Sequence, residues 1–163
     1  GNEKSELTSA EKAERYFRET GVDLIVANLG TEHRASGKYL KYRGDYAKEI
    51  KEKIGTRIVL HGASSVPADQ IAMLFDDGVC KVNIWTSLER DSSPVLFKSM
   101  VENASRVAGK EVVEALKKAE LLGSKCLTGE NASLKFFTTE YRQSIVFTEM
   151  KKIVEGYLRL WYC

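Results

Sequence analysis

The chain has 163 residues, 43% of them hydrophobic, enough to bury one substantial core. Its 25 Lys and Arg against 23 Asp and Glu leave a formal charge of +2, which provides no broad basic field and excludes nucleic acid as an expected partner. Cys80, Cys126 and Cys163 form an odd set without CxxC spacing, which points to reduced thiols in a cytoplasmic protein rather than to a disulfide framework or a cysteine metal site.

Gly1 to Thr8 hold no basic segment followed by an apolar stretch, and no run approaches the roughly 18 apolar residues that a membrane span requires. The expectation is a soluble protein with no membrane association. From Ser9, an N-cap, the apolar positions Ala10, Ala13, Tyr16 and Phe17 predict a helix over about 9–20, with Gly21 as its stop. The run Val22 to Ala27 is short and β-branched, as in a strand buried on both faces.

Tyr46, Ile50 and Ile54 predict a helix from about Asp45 to Lys53, closed by Gly55. Arg57 to Leu60 repeats the strand pattern. Pro67 opens a third helix through Ile71, Met73, Leu74 and Phe75, stopped by Gly78, and Val79 to Ile84 forms a third strand. Three successive helix-then-strand units predict a parallel sheet. Beyond Asp91 the spacing becomes helical, through Val95, Leu96, Met100 and Val107, then Val112 to Leu122, then Thr139 to Trp161. The last segment carries a broad apolar stripe, which must lie against the rest of the chain or a second subunit.

In parallel α/β sheets ligands gather at the carboxyl ends of the strands. Here those ends read Gly30-Thr31-Glu32-His33, His61-Gly62-Ala63-Ser64-Ser65 and Asn83-Ile84-Trp85-Thr86, and they hold both histidines of the protein. Two imidazoles at adjacent strand ends suit two of the three protein ligands of a catalytic zinc site, or serve as caps that hydrogen-bond the strand ends. The small-residue loop after His61 runs into a helix start, where a phosphate could rest, or is a tight turn with serine capping. Asn83 and Thr86 add polar groups along the same edge, or act as local caps.

The pieces VDLIVANLGTEH, IVLHGASS and CKVNIWT, in this order and separation, resemble the last three strands of the class II fructose-bisphosphate and tagatose-bisphosphate aldolases, whose corresponding stretches read approximately GTxHG, HGxSG and N-x-x-T. The resemblance covers about Ala10 to Leu88. It implies an α/β fold: part of a (β/α)₈ TIM barrel, its last three strands parallel, over residues 1–91, followed by a helical C-terminal extension over 92–163 packed on the barrel or a partner subunit.

It also implies that His33 and His61 are metal ligands for Zn²⁺. Gly62, Ala63, Ser64, Asn83, Ile84, Trp85 and Thr86 would hold a phosphorylated substrate, dihydroxyacetone phosphate or a ketose bisphosphate. Zinc would act as a Lewis acid on the enediolate, so Lys81 needs no Schiff-base role. The family's remaining zinc ligand and proton-handling carboxylates would precede the residues present, so the 163-residue chain alone is expected to be inactive. A homo-oligomer is expected.

Four departures mark a divergent subgroup: Arg34 and Ser65 where the family has glycine, Trp85 where a small or polar residue is usual, and Ser87 where aspartate is frequent. Two other classes stay open beside the lyase. One is a non-catalytic barrel-type domain that binds a sugar phosphate or mediates assembly. The other is a phosphate-binding barrel enzyme using the histidines as acid and base.

Overall fold

A computed structural model describes residues 7–31 and 41–162, without the side chain of residue 65. The chain divides into two compact units, Gly1–Thr86 with Gly156–Cys163, and Ser87–Glu155.

In the first unit the order is α1 (Ala10–Thr20), β1 (Ile25–Val26), α2 (Gly44–Ile54), β2 (Ile58–Leu60), a 3₁₀ turn (Ala63–Ser65), α3 (Ala68–Ile71) and β3 (Val79–Val82). The strands make one parallel sheet in the order β1-β2-β3, as the alternation of helix and strand requires. Local signals end α1 and α2. The Ser9 hydroxyl accepts from the Lys12 amide at 3.3 Å at the start of α1, and Gly21 turns left-handed at its end. Gly55 closes α2 by donating to the Lys51 carbonyl.

β2 is the buried centre: Ile58 and Leu60 have no exposed surface, and Ile25, Leu29, Ile50, Ile71, Leu74 and Val79 pack into the same core. The long helix α8 (Thr139–Tyr162) contributes Tyr157 and Trp161 to this core, and the Trp161 indole donates to the Ile71 carbonyl at 3.0 Å. Gly30 is required where it stands, because at φ +81° a Cβ would lie 2.8 Å from the Lys41 carbonyl oxygen.

Several expectations change. The strand predicted over Val22 to Ala27, buried on both faces, is β1 alone, where Val26 is 58% exposed; among the described residues β1 stands at the edge of the three-stranded sheet, beside β2. The helix predicted from Pro67 through Phe75 stops at Ile71 and continues as hydrogen-bonded turns to Gly78. β3 leaves the ladder at Val82, two residues early, and carries an irregularity: Ile58 pairs with Val79 but Val59 with Lys81, leaving Cys80 as an extra residue.

The second unit is helical. It holds α4 (Thr86–Glu102) from its second residue, α5 (Ala104–Ala108), α6 (Lys110–Lys118), α7 (Leu134–Phe137) and the first seventeen residues of α8, to Glu155. The helical spacing first legible at Val95 belongs to a helix that already begins at Thr86. Pro94 lies inside it. Ser92 returns its hydroxyl to the Leu88 carbonyl at 2.6 Å, one turn back. Ala104, Val113 and Cys126 form a small core. The Arg106 guanidinium pairs with both oxygens of Glu130 at 2.6 Å and stacks on Phe136 at 5.1 Å.

Candidate active site

The carboxyl ends of β2 and β3 and the residue after β1's exit loop meet on one rim. β2 delivers His61, which is half-buried, and Gly62 turns left-handed at φ +75° to start the 3₁₀ turn. That turn buries Ala63 and Ser64, at 0% and 6% exposure. From β3, the Asn83 amide N–H donates to the Leu60 carbonyl at 3.0 Å, so the main chain is still tied to β2 as it leaves the sheet.

The extra residue in β3 decides what stands beside His61. In a regular register Cys80 would pair with Val59 and Lys81 with Leu60; because Cys80 is passed over, Val82 is level with Leu60 and Asn83 follows at the height of His61. The side chains then touch: Asn83 Nδ2 lies 2.8 Å from His61 Nε2. Cys80 itself is anchored through its thiol, which lies 3.5 Å from the Ile58 carbonyl.

From β1, Asn28 Oδ1 accepts from the Gly30 amide at 3.2 Å and shapes the exit turn. The Thr31 hydroxyl donates to the His61 carbonyl at 2.6 Å, joining the exit of β1 to that of β2. Thr31 stands in the sequence motif without a role of its own. Its only advance signal is a hydroxyl one residue past a turn glycine.

A cleft of about 550 Å³ opens on this rim, lined by His61, Gly62, Ser64, Val82, Asn83, Ile84, Trp85 and Thr86. Seven residues singled out from the sequence thus share one concavity. Ala63 is packed beneath it, and His33 lies outside the described residues. Trp85 is 59% exposed, so its ring is a wall of the cleft and not part of the core. Lys81 is exposed on β3.

The donors are one imidazole, the carboxamide of Asn83, and the hydroxyls of Ser64 and Thr86. Among the described residues no three His, Cys, Asp or Glu side chains converge as a metal-holding group. The rim therefore offers a nitrogen ligand of the type zinc accepts, and the described residues do not complete a shell.

Two solved structures share this architecture. The YdjI aldolase from Escherichia coli K12 superposes with a TM-score of 0.53 at 17% identity, over 95% of this chain and 44% of that one. The fructose-bisphosphate aldolase from Campylobacter jejuni superposes with a TM-score of 0.63 at 16% identity, over 94% of this chain and 45% of that one. At such identities the likeness establishes the fold, part of an α/β barrel with additional helices. The chain spans under half the length of either structure. The family described as Fructose-bisphosphate aldolase class-II matches residues 1–131. A match over that share of the sequence, on a parallel sheet whose strand ends build a single cleft, places the chain in the class II fructose-bisphosphate aldolase family.

Proposed function

We propose that this chain is a portion of a class II metal-dependent aldolase, a lyase that breaks or forms a C–C bond in a ketose (bis)phosphate. The supporting observation is that His61 and Asn83, delivered by different strands, touch at the mouth of the cleft.

His61 and His33 would hold a zinc ion together with a ligand from elsewhere in the protein. The chemistry a bound zinc supplies is Lewis acidity toward the enediolate of dihydroxyacetone phosphate. The chain's own residues bind and orient. Gly62, Ala63 and Ser64 would offer main-chain N–H groups and the buried Ser64 hydroxyl to a phosphate at the cleft floor. Asn83, Ile84 and Thr86 line the facing wall, with donors for the hydroxyl and phosphate oxygens. Trp85 narrows the entrance, which favours a small three-carbon unit over a bulky one.

A homo-oligomer belongs to the same reading, supported by the exposed apolar side chains of α8, Phe147 at 60% and Tyr162 at 81%. No helix among the described residues is long and apolar enough to cross a membrane.

Two measurements test the proposal. Zinc binding by the 163-residue chain, followed by competition with a chromophoric chelator, should be weak and should vanish in His61→Ala and His33→Ala. Unchanged binding in both variants rules out the metal assignment and leaves a barrel-type domain without aldolase chemistry. In Trp161→Phe, Trp85 is the remaining tryptophan, so its fluorescence should change on adding dihydroxyacetone phosphate. The chain alone should show no substantial zinc-dependent cleavage of fructose bisphosphate.

A further inference from the structure

We propose that Trp85 is a specificity-determining residue of the cleft: its indole receives the carbon chain of an uncharged polyhydroxy aldehyde and discriminates against a phosphorylated one. This rests on the aldolase reading above, in which a three-carbon phosphate lies on Gly62, Ala63 and Ser64 and an aldehyde is the other product of C–C cleavage.

The two tryptophans of the protein are held in opposite ways. Trp161 packs against the core, its indole N–H donates to the Ile71 carbonyl at 3.0 Å, and its ring lies 5.8 Å from that of Tyr157. Trp85 is 59% exposed, and among the described residues neither a hydrogen bond nor a ring contact holds it. An aromatic side chain of this size contributes most when it is buried, and its N–H ordinarily finds an acceptor. The fold uses neither the faces nor the donor of Trp85, and both are open to what enters the cleft that this residue lines. The backbone that carries the ring is nonetheless anchored, because Trp85 follows two residues after the bond between the Asn83 amide and the Leu60 carbonyl.

The rest of the lining says what kind of molecule fits. Val82 and Ile84 are half-buried and add aliphatic surface, while Ser64, Asn83 and Thr86 supply two hydroxyls and a carboxamide. Such a mixed wall suits a carbon chain that carries hydroxyls along one side and C–H groups along the other. The faces of an aromatic ring are partially negative. Polarised C–H groups are drawn to them, whereas a phosphate dianion is repelled and would lose hydration there without gaining a counter-charge from the indole. The cleft, of about 550 Å³, lies in the size range of small-molecule sites and leaves room for such a chain beside a three-carbon unit.

The test is ¹⁹F NMR of the 163-residue chain labelled with 5-fluorotryptophan, which gives one resonance for each tryptophan, assigned with Trp85→Phe. With dihydroxyacetone phosphate in excess, D-glyceraldehyde should move the Trp85 resonance and leave that of Trp161 in place. It should do so at a concentration about 10-fold below the one at which D-glyceraldehyde 3-phosphate acts. Trp85 is exposed, so Trp85→Ala leaves the core intact. In that variant calorimetry should find D-glyceraldehyde bound about 10-fold more weakly, the loss expected for an apolar contact of this size, and the preference over the 3-phosphate gone. A preference that survives in Trp85→Ala, equal or tighter binding of the 3-phosphate by the wild type, or a Trp85 resonance that neither aldehyde moves overturns the inference. Dihydroxyacetone phosphate alone judges the reading beneath it. A chain that binds this compound without distinguishing the aldehydes keeps the aldolase assignment and loses the role of Trp85; one that distinguishes the aldehydes through Trp85 but does not bind it keeps the role and loses the assignment.

Discussion

The hydroxyl of Thr31 donates to the main-chain carbonyl of His61 across 2.6 Å, thirty residues away in sequence. It joins the exits of β1 and β2 above the last ladder pair, Val26 with Val59, on a strand with only two paired residues. So short a strand has little backbone pairing to hold its exit in place, and this side-chain bond extends the pairing towards the rim.

Replacing Thr31 by Val keeps the shape and removes the donor. A partly buried hydrogen bond of this kind contributes about 0.5–1.5 kcal/mol net. Urea unfolding of Thr31→Val should show a loss of that size, and Thr31→Ser should recover most of it. A Thr31→Val chain as stable as the wild type would mean that the bond does not persist in solution.

Leu60 is the last residue of β2 and is completely buried. Leu60→Ala should destabilise the first unit by about 2–5 kcal/mol, the transfer and cavity cost of a large-to-small change in a packed core. Val26→Ala, at an exposed position of β1, should cost far less. Equal losses at the two positions, measured by urea unfolding, would contradict the assignment of β1 as an edge and β2 as the centre.

Gly78 precedes β3 at φ +100°, and a Cβ there would lie 2.7 Å from Cβ of Lys51 on α2. Lys51 is itself held, its ammonium donating to the Asp76 carbonyl at 2.9 Å. Gly78→Ala should therefore lower stability by roughly 1–3 kcal/mol through backbone strain and the close approach of the helix. Gly123→Ala meets nothing within 4 Å and should be neutral or slightly stabilising. Thermal melts of the two variants should move apart in that sense.

Tyr42 is buried beside Asp77, which is itself 3% exposed and paired with Lys48 at 3.5 Å. Burial first, then the charge of Asp77, pushes the Tyr42 phenol well above its ordinary range. In the unfolded chain it ionises near its usual value of about 10. The neutral phenol therefore contributes stability that is complete below that pH and is lost as pH rises beyond it. Of the seven tyrosines, Tyr42 should ionise only together with loss of the fold, as followed by tyrosinate absorbance against circular dichroism. Tyr42→Phe should flatten the decline in stability above pH 10. A phenol at Tyr42 that titrates in the ordinary range with the fold intact would refute this.

What the amino-acid sequence determined by itself is whatever depends on neighbours a few residues apart. Ser9 and Gly21 bound α1 and Gly55 ends α2, because capping is a matter of one side chain and the next turn of backbone. Three apolar runs separated by amphipathic helices require a parallel sheet, and the motifs at their ends identify the family. The tertiary structure alone decided matters that depend on partners far along the chain. Val22 to Ala27 reads as a fully buried strand, yet Val26 is exposed, because burial depends on which element covers each face. Cys80 reads as an ordinary strand residue. It is left over only when β3 is laid against β2, and that one-residue displacement is what brings Asn83 to the height of His61. Register is a relation between two strands, and neither strand carries it alone.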